Sequence, residues 1–165
     1  MFTLRCTKKL LSRLGARPVP EQAARAVAPT TRLGDWHANV LYRRDLELVL
    51  LASDRSLLPI LVPARPRDLI VARFVETLGT VLGRLDVPGD RISAEVAEMT
   101  EVQVCPTRSR QVLGTMTDFD RMLDSYRRPG RTLVDIALQL AEAPCGPIAM
   151  KSPRDMAAEL LCAAA

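Results

Sequence analysis

Asp35, Trp36, His37 and Asn39 gather an acid, an indole, an imidazole and an amide within five residues. Imidazole titrates near neutrality, and a neighbouring carboxylate or amide can decide which ring nitrogen is free. His37 oriented by Asp35 or Asn39 therefore has the makings of a general base. In an extended strand alternate residues share a face, which puts Asp35, His37 and Asn39 together and turns Trp36 the other way. A nucleophile is missing from the group. The chain has no Gly-x-Ser-x-Gly elbow, and pairing His37 with Cys6, Cys105, Cys145 or Cys162 depends wholly on tertiary proximity. The plainer expectation is structural, with His37 and Asn39 hydrogen-bonding beside a core Trp36.

A second group is Arg108, Ser109 and Arg110, at the start of a long helical pattern. Helix N-termini carry unsatisfied N–H groups, and guanidinium forks beside them suit a phosphate or carboxylate. The competing expectation is that these arginines pair with Asp118, Asp120 or an acidic neighbour, and it carries more weight; Asp118 itself is placed to cap or to bridge locally. Gly114-Thr115-Met116 lacks the spaced glycines and following lysine of a phosphate-binding loop, so nucleotide hydrolysis is not expected.

The net charge of +4 raises nucleic acid as a partner, and its distribution is uneven. Residues 1–33 carry Arg5, Lys8, Lys9, Arg13, Arg17, Arg25 and Arg32 against Glu21 alone, a balance of +6, while residues 34–100 come to −2 and the remainder to zero. A basic N-terminal segment could track a phosphate backbone, but single-strand binding also calls for aromatic platforms, and Phe2 is the only aromatic residue there. The four cysteines are too scattered for a zinc ribbon or a Cys-x-x-Cys motif, and with His37 the lone histidine no metal or other cofactor is expected. Free thiols of this kind suit a reducing, cytoplasmic setting. No apolar run approaches the roughly 20 residues that span a bilayer, so no membrane is expected as a partner. The acid-free basic start superficially suits a transit peptide; a strand followed by a short helix accounts for it as well and is preferred.

With 165 residues, 48% apolar and 25% charged, the chain suits one globular domain, residues 1–165. Phe2 to Cys6 alternates as a strand. Thr7 then offers an N-cap to Lys8 through Leu14, and Gly15 a left-handed stop. Prolines 18, 20 and 29 break residues 16–32 into a loop, with at most one helical turn near Glu21. Asp35 to Arg43, Leu46 to Ala52 and Leu57 to Pro63 read as three strands joined by short turns, which favours an antiparallel meander with the proline-bearing third strand at an edge. Apolar residues at three-and-four spacing predict helices through Ile70 to Leu85, through Ile92 to Met99, over Ser109 to Arg128, over Thr132 to Ala143 and over Pro153 to Ala163, with a strand at Glu101 to Cys105. The pattern leaves open whether the Ser109 to Arg128 helix breaks at Gly114 and restarts at Thr117-Asp118. The expected fold is α+β: a short antiparallel sheet, a meander of about three strands plus the N-terminal and one later strand, covered by four to five helices.

Four motifs carry a resemblance across nearly the whole chain: Leu4-x-x-Thr7-Lys8-Lys9-Leu10-Leu11; Thr31-x-Leu33-Gly34-Asp35-Trp36-x-Ala38-Asn39; Leu57-Leu58-Pro59 with Val62-Pro63-Ala64; and Arg110-x-Val112-Leu113-Gly114-Thr115-Met116-x-Asp118-Phe119. As a set they resemble a family of small bacterial proteins known only as a domain of unknown function. The family pattern more often has serine at position 115 and asparagine at 117. The resemblance implies one domain and a bacterial source, and no activity. With catalytic residue types scarce, the sequence favours a non-enzymatic binding or regulatory domain that recognises a protein partner. The alternatives are a nucleic-acid-binding module using the basic N-terminal segment, and a hydrolase or transferase using the Asp35–Asn39 strand with Arg110. Candidate contacts are Asp35, Trp36, His37, Asn39, Arg108, Arg110 and Asp118.

Overall fold

A computed structural model describes residues 1–20, 22–23, 28–107 and 109–163. Strand β1 (Phe2–Cys6) leads into α1 (Lys8–Leu14), whose first turn is capped by the Thr7 hydroxyl and whose end is closed by Gly15 at φ 62°, with the Gly15 N–H donating to the Leu11 carbonyl. The turn expected near Glu21 falls on a residue outside the described ones. Then come β2 (Trp36–Tyr42), β3 (Glu47–Ser53) and β4 (Pro59–Pro63), the three strands of the meander. Ser53 shapes the last turn: its hydroxyl accepts from the N–H groups of Arg55 and Ser56 and donates to the Leu33 carbonyl.

The sheet has five strands in the order β4-β3-β2-β1-β5, with β5 at Val102–Pro106. β2, β3 and β4 pair antiparallel, whereas β1 runs parallel to both β2 and β5. The fold is α+β, but the sheet is mixed rather than antiparallel. The reason lies in the connections: short turns force antiparallel neighbours, and the long excursions from β1 to β2 and from β4 to β5 give room for parallel crossovers. Pro59 does lie on an edge strand, where its missing N–H costs no ladder bond.

The helices are α2 (Ile70–Arg84), α3 (Gly89–Ala97), α4 (Arg110–Tyr126), α5 (Leu133–Leu140) and α6 (Pro153–Cys162), which with α1 make six among the described residues, one at each stretch where capping or apolar spacing predicts a helix. α4 runs unbroken through Gly114 and is capped by Ser109, so Thr117-Asp118 starts no second helix. Thr132 and Asp135 form a full capping box on α5, while Ser152 caps α6 and its hydroxyl donates to the Asp155 carboxylate.

Phe74 of α2 sits 4.7 Å from the Trp36 ring and 5.9 Å from Phe2 by ring centroids, which places α2 over the Phe2, Leu4 and Trp36 face. Burying a side chain of this size is worth about 1.5–3 kcal/mol. α4 packs on β2 and β3, and α5 packs on β4, α2 and α4. Both faces of β3 are consequently buried, Leu48 and Leu50 on one and Val49 and Leu51 on the other. On the opposite edge the Val19 N–H donates to the Val104 carbonyl. The buried apolar residues from Phe2 to Leu161 form one connected cluster. No helix among the described residues is long and apolar enough to cross a membrane.

Candidate functional site

Strand register aligns Cys105, Arg5, His37, Ala52 and Pro59 in a single row across the sheet, on the face opposite Trp36. Asp35, just before β2, reaches into the polar end of this row. Its Oδ2 accepts from Arg5 Nε at 3.0 Å and from another guanidinium nitrogen at 2.8 Å, and its Oδ1 accepts from the Thr3 N–H at 2.9 Å. The pair is largely removed from water, with Arg5 and Asp35 side chains only 16% and 8% exposed. His37 instead has its Nδ1 2.6 Å from the Thr107 hydroxyl, and Asn39 accepts from the Thr7 hydroxyl at 2.8 Å.

Asp35, His37 and Asn39 thus share a face, as alternation requires, yet each is bound to a different partner and they form no relay. Burial, and secondarily the Arg5 charge, hold the His37 imidazole down at about 4 against a smaller opposing effect of Asp35. Cys6, across the sheet, is pushed up to about 12 by burial and by Cys105, and so keeps its proton. Trp36 is fully buried in the core, with its Nε1 unpartnered, which removes it from the surface where a ligand would be met.

The remaining expected contacts lie elsewhere. Arg108 is outside the described residues. Arg110 is exposed at the start of α4 and makes no ion pair among the described residues; Asp120 is taken by Arg43, and Asp118 lies exposed beside Arg121 at 3.4 Å. The expected pairing of Arg110 with Asp118 or Asp120 is therefore absent, because both carboxylates lie on later turns of α4 and meet other arginines.

A basic concavity brings together residues that sequence spacing does not connect. A cleft of 510 Å³ lies between α1, the end of β2 and the segment after β4, lined by Lys9, Ser12, Arg13, Tyr42, Arg65 and Arg67. α1 contributes Lys9, Ser12 and Arg13, whose three- and four-residue spacing sets them on one side of the helix. Arg67 approaches the end of α1, its guanidinium 3.6 Å from where a β-carbon on Gly15 would sit. Tyr42, the last residue of β2, is 52% exposed. Glu47 stands behind the cleft and accepts from Arg65 Nε at 3.0 Å and from a second Arg65 nitrogen at 3.1 Å, while Arg13 meets the same carboxylate. Those arginines hold the Glu47 carboxyl below its ordinary value. Lys9 and Arg67 make no ion pair among the described residues. Lys9 and Arg13 belong to the basic segment visible in the sequence; Tyr42 and the Arg65-Pro-Arg67 pair come from strand ends, and no periodic signal links them to it.

No curated protein and no solved structure matches this chain. A family model does, that of the domain of unknown function DUF6933, over residues 3–156. The match runs from β1 into α6 and takes in both the Arg5–Asp35 row and the basic cleft, in keeping with the resemblance carried by the sequence motifs. The chain belongs to the DUF6933 family.

Proposed function

We propose that this chain is a non-enzymatic module that binds single-stranded nucleic acid through the α1 cleft, with little sequence preference. The observation that carries the reading is the convergence of Lys9, Arg13, Arg65 and Arg67 with the half-exposed Tyr42 ring around one concavity. Such a groove can follow phosphates with its cations while a base stacks on the phenol, and stacking tolerates any base because every base presents a π-face. Among the described residues no acidic side chain lines the cleft; Glu47, behind it, offsets part of the charge of Arg13 and Arg65. The Ser12 hydroxyl adds a donor of the kind that contacts phosphate oxygens.

A protein partner has less behind it. Among the described residues the exposed large apolar side chains are Tyr42, Leu69, Val102 and Met150, which belong to separate segments of the fold, and nothing identifies a cover for them. Catalysis at the Asp35–Asn39 strand has less still, since Asp35 is committed to Arg5 and His37 is buried.

The test is fluorescence anisotropy with labelled 12-nucleotide DNA and RNA strands of mixed sequence. The expected result is binding whose logarithm falls linearly with the logarithm of salt, with a slope of roughly −2 if about three phosphates are contacted. Affinity should drop about tenfold or more in a Lys9→Gln/Arg67→Gln variant at constant salt. Absence of binding at low salt, or equal affinity in that variant, would overturn the reading.

A further inference from the structure

A second concavity, remote in sequence from the α1 cleft, lies where the β3–β4 turn, the first turn of α4, the loop before α6 and α6 itself meet. Its volume is 430 Å³, within the range of small-molecule sites, and its character is different. Leu57, Val112, Ile148 and Met156 give it an apolar floor, and Arg55 and Lys151 stand at the rim. Leu57, Val112 and Ile148 are buried, so the floor is already formed and needs no collapse around a ligand.

The backbone around this pocket is held in an unusual state. The non-glycine residues with positive φ among the described ones are Leu57, Asp86, Ala149 and Met150. Leu57 and Ala149 line the pocket and Met150 follows Ala149 directly. L-residues adopt this conformation at a cost in free energy, and such residues gather where a chain's shape is fixed for binding. The consecutive pair at 149 and 150 turns the loop back on itself: the Met150 N–H donates to the Cys145 carbonyl at 3.0 Å, the Lys151 N–H to Ile148 at 3.2 Å, and the Cys145 N–H to Lys151 at 3.0 Å. The closed loop sets Pro147 and Ile148 into the wall and leaves Lys151 at the rim, where Glu159 meets its ammonium at 2.6 Å. Arg55 uses one guanidinium N–H on the Arg32 carbonyl, at 3.1 Å, and retains other donors.

We propose that this pocket binds a small carboxylate with an apolar body, the body resting on Leu57, Val112, Ile148 and Met156 and the carboxylate meeting Arg55 and Lys151. The geometry divides the two halves of such a ligand: the floor offers hydrocarbon contact without polar competition, and the rim offers two cations on separate elements. Asp54, the acid at the same rim, selects against a second anionic group and against bulk on its side.

Phenylacetate, octanoate and phenethylamine are the probes, titrated against the uniformly 15N-labelled full chain and followed by amide chemical shifts. Expected are saturable shifts with the two carboxylates at residues 54–57, 111–112 and 148–151, and none with the amine. Arg55→Gln should weaken phenylacetate at least fivefold, and Gln111→Trp, which crowds the mouth from an exposed position, should abolish saturation; both sites are on the surface, so the fold is retained and the unperturbed amide spectrum verifies it. The proposal is overturned by the absence of saturable shifts at these residues up to 10 mM probe, or by equal binding of phenethylamine and phenylacetate. Unchanged phenylacetate binding in both variants overturns it as well. Nucleic-acid binding at the α1 cleft is read separately by anisotropy, so either result can fail without the other.

Discussion

Asp35 and Glu47 each hold an arginine fork, and the two places differ in solvent rather than in chemistry. At Asp35 the pair is sequestered on the sheet, with side chains 16% and 8% exposed and a third bond from the Thr3 backbone. At Glu47 the partners are open to water: Arg65 is 70% exposed, and Arg13 and Glu47 are 28% and 25% exposed. Desolvated charges that lose a partner are left stranded, so the first pair serves the fold. Solvated pairs contribute little to stability, so guanidiniums of the second kind could leave Glu47 for a phosphate at little cost to the fold, as the proposed reading requires. The comparison separates a buried arginine–carboxylate pair that serves the fold from a solvated one whose arginines the proposed nucleic-acid reading requires to exchange partners.

The largest expected effect separates the two pairs. Arg5→Met should cost about 3–5 kcal/mol of unfolding free energy, because it strands the buried Asp35 carboxylate. Arg65→Met should stay within roughly 0.5 kcal/mol, as surface substitutions do. Urea denaturation of the two variants decides it, and equal losses would erase the distinction.

Acid extends the same contrast. His37 lies in the buried row with its imidazole held at about 4, below the ordinary 6.5, so the unfolded chain binds more protons there than the folded one. Stability due to this residue is intact above pH 6.5 and is lost as pH falls toward 4, by roughly 3 kcal/mol in all. A His37→Gln variant should show a shallower decline over that window than the parent. Parallel stability curves for the two proteins would show that His37 does not titrate as its burial implies.

The binding side is sharpened by two smaller effects. Tyr42→Ala should weaken single-strand affinity by about 1–3 kcal/mol, the cost of one lost stacking contact, while leaving the salt slope unchanged. Lys8→Gln, on α1 but outside the cleft lining, should reduce affinity by less than the Lys9→Gln/Arg67→Gln pair does. Anisotropy titrations at two salt concentrations read both, and a Lys8 effect equal to that of the pair would spread the interaction over α1 rather than confine it to the cleft.

Much of the fold was legible because its causes are local. The Thr7 cap and the Gly15 stop act within a turn of α1, the period of two in Trp36–Tyr42 reports a strand with two faces, and the proline at 59 restricts β4 to an edge. The face shared by Asp35, His37 and Asn39 followed from the same alternation. Their partners did not: Arg5, Thr107 and Thr7 arrive from other segments, and nothing in residues 35–39 names them. The antiparallel expectation failed only for β1 and β5, whose neighbours are set by long crossovers instead of turns.

By itself, then, the chain's order of residues determined its elements, its caps and the two faces of its central strands, because those depend on interactions a few residues long. Tertiary structure alone decided that β1 lies parallel between β2 and β5, that Arg5 faces Asp35, and that Tyr42 and Arg67 line one cleft with α1. Those meetings depend on which buried surfaces close against each other across tens of residues, and short-range pattern carries no information about that choice.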